Sequence, residues 1–161
     1  MNQIAEQAGI AHGTIYFYFD SKLAVADALV NGYVRNVSDI LERPLSDSIG
    51  PEQIRTCVHN VVLYASRNAD IIRLMDIRCT LGMDNIREPD ASKRLEKILV
   101  AAITRGVRRG RLREYDPVMA ARMVTGIVEW VARTCLMWMK FDTSHFEETA
   151  IQMLEHALIK S

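Results

Sequence analysis

Between Gly13 and Lys22 the chain reads GTIYFYFDSK, and the conformation of its aromatic centre decides the fold. By local preference Ile15-Tyr16-Phe17-Tyr18-Phe19 is a strand, because β-branched and aromatic side chains suit a pleated surface. Wound as a helix, the same residues separate by face. Ile15 and Phe19 come together at i, i+4, while Thr14, Tyr18 and part of Tyr16 turn away. The rest of the chain has to choose between the two.

It chooses the helix. Gly9, Pro44, Gly50-Pro51, Pro89 and Asp116-Pro117 punctuate the sequence, and the stretches between them carry helical spacing. Ile54, Val58, Val61, Val62 and Ala65 recur at steps of three and four. Leu95, Ile98, Leu99, Ala102 and Ile103 do the same, as do Phe146, Ala150, Met153, Leu154, Ala157 and Leu158. No other segment alternates as a strand does, so an extended Ile15–Phe19 would have no sheet to join. The expected fold class is all-α.

Bulk properties narrow the function. With 161 residues, 49% hydrophobic and 25% charged, the chain can bury a core. Twenty basic residues balance twenty acidic ones, so any anionic partner must be held by a local patch. Cys57, Cys79 and Cys135 are far apart and form no C-x-x-C, which favours reduced thiols in the cytoplasm over a disulfide framework or zinc. MNQIAEQAG carries no secretory pattern. Neither a Ser-His-Asp, Cys-His or paired-carboxylate arrangement nor a metal-ligand spacing around His59, His145 or His156 is visible. The reading is therefore a non-enzyme without metal or cofactor.

The first residues form a plan. Asn2 can cap a helix through Ala8, Gly9 suits a positive-φ end, and Ile10 closes it. A second helix begins near Ala11. Asp20-Ser21 then cap a third, whose inner side carries Ala26, Leu29, Val30 and Tyr33. Helix, short glycine-containing turn, helix is the helix-turn-helix arrangement.

IAEQAGIAHGTIYFYFDSKLAVADAL, Ile4 to Leu29, resembles the DNA-binding signature of the TetR (tetracycline-repressor-like) family, I-A-x-x-A-G-V-S-x-G-T-[LIV]-Y-x-[HY]-F-x-[SN]-K-x-x-L. It keeps the spacing of Ala5, Ala8, Gly9, Gly13, Thr14, Tyr16, Phe19, Ser21 and Lys22. GRLREYDPVMAARMVTG, Gly110 to Gly126, is similar to the looser turn before that family's dimerisation helices. The resemblance implies a helix-turn-helix head over residues 1–36 and a ligand-binding and dimerisation body over 37–161. It also implies a ligand-responsive regulator, a repressor, that grips double-stranded operator DNA as a homodimer and lets go when a small, largely apolar effector binds. His12 and Thr14 would face bases, Gly13 would admit close backbone approach, and Tyr16, Tyr18 and Lys22 would reach phosphates.

Three departures accompany the match. Ala11 replaces the family's capping Ser or Thr, at a cost of about 1 kcal/mol. His12 replaces a usually basic residue. The family's first helix precedes the position of Asn2, so upstream residues are expected. Residues 1–36 hold Lys22 and Arg35 against Glu6, Asp20 and Asp27, few cations for phosphate binding. The competing reading is a dimeric small-molecule-binding or interaction module that has lost DNA binding with that helix.

Val118 to Lys140, VMAARMVTGIVEWVARTCLMWMK, is the most hydrophobic stretch. Arg122, Glu129, Arg133 and Lys140 fall on one stripe at about 100° per residue, which disfavours a membrane span and predicts a solvated ridge. The remaining apolar arc predicts a dimer interface with the last helix, through Val124, Ile127, Val128, Val131, Leu154 and Leu158. Tyr64, Met75, Arg78, Cys79, Met83, Trp130 and Trp138 are the candidate ligand pocket. TRGVRRGRLR, with its five arginines, reads as a helix C-terminus followed by a solvated loop.

Overall fold

The computed structural model describes residues 1–47, 49–80, 90–137 and 143–160, without the side chains of 78–80, 90, 135–137 and 143. The helices are α1 (Asn2–Gln7), α2 (His12–Tyr18), α3 (Lys22–Glu42), α4 (Pro51–Arg67), α5 (Ala69–Thr80), α6 (Asp90–Arg108), α7 (Pro117–Met137) and α8 (Thr143–Leu158). Among the described residues the only extended pairing is a single bridge between Leu112 and Ile159. The protein is all-α.

The helix ends follow local chemistry. After α1, Gly9 takes φ +66°, its N–H reaches Glu6 O, and Ile10 N–H reaches back to Ala5 O at 3.0 Å. Such a left-handed glycine satisfies carbonyls that would otherwise lack partners. Gly110 repeats the device after α6, also at φ +66°, with Arg111 N–H on Gly106 O. Ala11 leaves the start of α2 without a side-chain cap. Ser21 caps α3, its hydroxyl oxygen accepting from Ala24 N–H at 3.1 Å. Pro51 opens α4 at a position whose N–H would have had no partner.

Packing centres on α3, which lies against α4, α5 and α6; α6 packs on α7, and α4 crosses α7 and α8. Val30, Val34, Val37 and Leu41 of α3 meet Ile54, Val58, Val61 and Val62 of α4 in one core with Ile103, Ile151 and Leu154. Among the described residues Ser38 is the buried polar one, and its hydroxyl donates to Val34 O at 3.0 Å. On α8 the buried line is Ala150, Ile151, Leu154 and Leu158, while Met153 and Ala157 are exposed. The sequence pattern had set that face one step off, because Met and Ala sit at helical spacing on the outer side as well.

The arginine run after α6 is more than a solvated loop. Arg105 donates to Leu45 O at 2.5 Å, Arg109 to Asp47 O, and Arg113 Nε to Ile159 O at 3.1 Å. With Arg113 N–H on Leu158 O and Lys160 N–H on Arg111 O, these bonds strap the α6–α7 turn to the ends of α3 and α8. Gly106 lies under the strap: a Cβ there would stand 2.6 Å from Leu112 and Ile49 side-chain atoms.

Candidate functional site

In the head, α2 buries Ile15 to 4% exposure and turns Tyr16, Phe17 and Tyr18 to water, Phe17 at 84%. His12, Gly13, Thr14 and Lys22 are exposed as well. A Cβ on Gly13 would meet nothing within 4 Å, so the backbone there is open to a close approach. Lys22 begins α3, where unpaired N–H groups and the positive dipole end favour an anion. Phe17, to which the sequence reading gave no role, is the most exposed large apolar side chain of the head. Edge-on contact with Tyr18 at 5.3 Å holds the two rings together.

The body is hollow. A cavity of about 1020 Å³ is walled by α3 to α8, at the top of the roughly 300–1,000 Å³ range of small-molecule sites. Its lining along α3 runs from Asp27 to Leu41, about 20 Å at 1.5 Å per residue. One end is aliphatic: Leu41, Leu45, Ile49, Ile54, Leu99, Ile103, Leu154 and Leu158. The polar lining gathers toward the start of α3, from Asp27 and Asn31, Ser92 and Glu96 of α6, and Arg122, Thr125, Glu129 and Arg133 of α7.

The charges on α7 are thus arranged differently from the solvated ridge predicted by the sequence. Arg122, Glu129 and Arg133 are open to water, but they form the cavity's polar rim; Lys140 lies outside the described residues. Arg122 pairs with Glu96 at 3.3 Å and Arg133 with Asp76 at 3.4 Å. Surrounding protein holds the Glu129 carboxyl above its ordinary range, and the Arg133 charge only partly opposes this. Burial, then the neighbouring Tyr64 and Glu129, pushes the Tyr33 hydroxyl up. On the wall, burial pushes the Cys57 thiol up to about 12, so it behaves as a small apolar group.

The predicted pocket residues divide. Met75 lines the cavity. Tyr64 backs it from behind Tyr33, stacked at 5.2 Å, and its hydroxyl accepts from Asn36 Nδ2 at 2.8 Å. Trp130 is 60% exposed, away from the lining, edge-on to Phe146 at 6.2 Å. Met83 and Trp138 lie outside the described residues, and so do the side chains of Arg78 and Cys79. The predicted interface needs correction too. Val131, Leu154 and Leu158 are buried in the protomer's own core, Val124 and Val128 line the cavity, and Ile127 is half-buried. Among the described residues, the large apolar side chains that α7 and α8 leave outside are Met119, Met123, Trp130 and Met153. The α3 wall, Val30, Val34 and Val37, was missed as a pocket although its spacing is regular, because a lining residue and a core residue have the same sequence signature.

Comparison with known proteins adds to this geometry. Residues 1–29 match the family described as bacterial regulatory proteins, tetR family. The fatty acid metabolism regulator protein of Bacillus subtilis (strain 168) is 25% identical over 162 residues, spanning 96% of this chain and 82% of that protein. The solved structure of the B. subtilis transcriptional regulator FadR in complex with stearoyl-CoA superposes with a TM-score of 0.74 at 22% identity, over 95% of this chain and 85% of that one. SmeT, the repressor of the Stenotrophomonas maltophilia multidrug efflux pump SmeDEF, gives 0.72 at 23% identity, over 98% and 79%. The signature from Ile4 to Leu29, wound into a helix-turn-helix, is thus similar to bacterial regulatory proteins of the tetR family, and the hollow helical body behind it shares the fold of these solved regulators.

Proposed function

We propose that the protein is a homodimeric repressor released from its operator by an amphiphile with a long aliphatic chain. The observation that carries this reading is the polarised cavity. Its branched aliphatic end holds no charge, and its polar residues collect toward the start of α3, next to the head. An extended alkyl chain fits such a slot, with its polar group left at the rim. The likeness to a fatty acid metabolism regulator and to a stearoyl-CoA complex supports the same ligand class.

The route from cavity to DNA is α3. It runs unbroken from Lys22 to Glu42, its first residues at the DNA-reading face and Val30, Val34 and Leu41 at the cavity wall. A ligand shifts a regulator only through differential affinity for its two states. Here the difference would be the angle of α3, and with it the separation of two recognition helices that must meet half-sites about 34–36 Å apart. His12, Gly13, Thr14, Tyr16, Tyr18 and Lys22 are proposed as the DNA contacts. The domain division is proposed at residue 36, with α3 shared by head and body. The proposed dimer surface is the outer stripe of α7 and α8, with Met119, Met123, Trp130 and Met153, since the originally expected residues are largely turned inward.

Selection of bound sequences from a random duplex pool, followed by gel-shift titration across salt, tests the reading. Expected are a pseudo-palindromic site, an affinity falling linearly with log salt at about 0.9 per phosphate contacted, and release by long-chain acyl-CoA but not by free coenzyme A. A pool that yields no enriched sequence at low salt overturns the repressor reading in favour of a binding module.

A further inference from the structure

The rim of the cavity is unevenly provided. Its two cations are already engaged, Arg122 by Glu96 and Arg133 by Asp76. The Thr125 hydroxyl donates to Ala121 O at 3.0 Å within its own helix. Glu129 is different. Its carboxylate lines the same cavity, and among the described residues no hydrogen bond or ion pair reaches it. Resting on the aliphatic-effector reading above, we infer that Glu129 selects the effector's head group. It accepts amphiphiles whose polar end donates a hydrogen bond, a protonated amine or an amide N–H, and turns away those ending in a free carboxylate.

The physical ground is the sign of what is left unpaired. An acceptor in a confined site gains from an incoming N–H, and more from a cationic one, because charge-assisted bonds are about twice as strong as neutral ones. A second carboxylate brought beside it meets like charge, which the Arg133 charge only partly offsets. Asn31 and Tyr33, also on the lining, are neutral and serve a carbonyl oxygen of an ester, thioester or amide without distinguishing charge. The apolar remainder of the cavity accepts the same alkyl chain in every case, so discrimination falls to the polar rim. There Asp27 and Glu96 add like charge, and Glu129 is the carboxylate that no hydrogen bond reaches among the described residues.

Isothermal titration calorimetry on the full chain at pH 7.5 tests this with three probes of equal chain length: hexadecylamine, N-methylhexadecanamide and hexadecanoate, each kept below its aggregation threshold. The native protein should bind the amine at least tenfold more tightly than the carboxylate, with the amide between them. Glu129→Gln should weaken the amine by about tenfold and strengthen the carboxylate, collapsing the order; its thermal melt reports whether it is folded. Equal affinity for amine and carboxylate in the native protein overturns the selector role while leaving the aliphatic reading standing, whatever the variant does. Binding of none of the three overturns both.

Discussion

Residues 1–21 bury Ala5 and Ile15 and leave Tyr16, Phe17 and Tyr18 in water, whereas α3 to α8 bury a continuous core and still enclose about 1020 Å³ of cavity. The head keeps most of its aromatic surface outside. The body keeps its apolar residues inside but does not fill the interior. Close packing is the rule for protein cores, so a hollow walled by Val, Leu and Ile is a feature to be explained by a guest. The contrast separates two placements of apolar side chains: aromatics presented to solvent on α2, and incompletely packed aliphatics around the cavity.

That contrast can be broken by removing bulk on each side. Ile151→Ala deletes a fully buried side chain of α8 that lies outside the cavity lining. It should cost about 3 kcal/mol and lower the melting temperature by roughly 6–12 °C. Phe17→Ala, at 84% exposure, should change stability by no more than about 0.5 kcal/mol. A large loss from Phe17 would mean that the head is packed rather than presented. Circular dichroism melts of the two variants decide it.

The junction between the regions offers a middle-sized test. Ser21→Ala removes the acceptor for Ala24 N–H, a loss of about 1 kcal/mol at the start of α3. If α3 transmits between cavity and groove, weakened DNA binding should accompany the small thermal effect. Unchanged operator affinity would show that the first turn of α3 does not need to be fixed.

The smallest effect belongs to the cavity rim and has the opposite sign. Because the folded protein holds the Glu129 carboxyl above its ordinary 4.5, folding favours the protonated form. The associated stability is present below 4.5 and lost as pH rises through the shifted value. Glu129→Gln should therefore be slightly more stable than the native protein at pH 7, by no more than about 2 °C given the group's access to water. The gap should close in acid. Melting curves at pH 4 and pH 7 measure it, and a destabilised variant at pH 7 would reveal a bond to Glu129 that the geometry does not contain.

Much of this was legible beforehand. The conflict at Ile15–Phe19 was resolved by the absence of any sheet, and Gly9, Ser21 and Pro51 marked helix ends through chemistry confined to a few neighbouring residues. The α4 face at Ile54, Val58, Val61 and Val62 was fixed by period alone. The rim was not legible. Arg122, Glu129 and Arg133 do share a stripe, but a stripe of charges facing outer solvent and one at the rim of a cavity have the same spacing. The interface failed similarly: the apolar arc of α7 has two sides, and nothing local says which one α4 and α8 will cover.

The sequence by itself determined the helix-turn-helix, the all-α class and the outward turn of Tyr18 and part of Tyr16, since caps, turns and short-range periodicity act within a turn or two of helix. Only the tertiary structure decided that the body encloses a cavity, that Leu154 and Leu158 face inward, and that Glu129 stands on its rim without a hydrogen bond among the described residues. Those facts depend on how far apart six helices come to rest, and that distance is set by all their contacts together, not by any one segment.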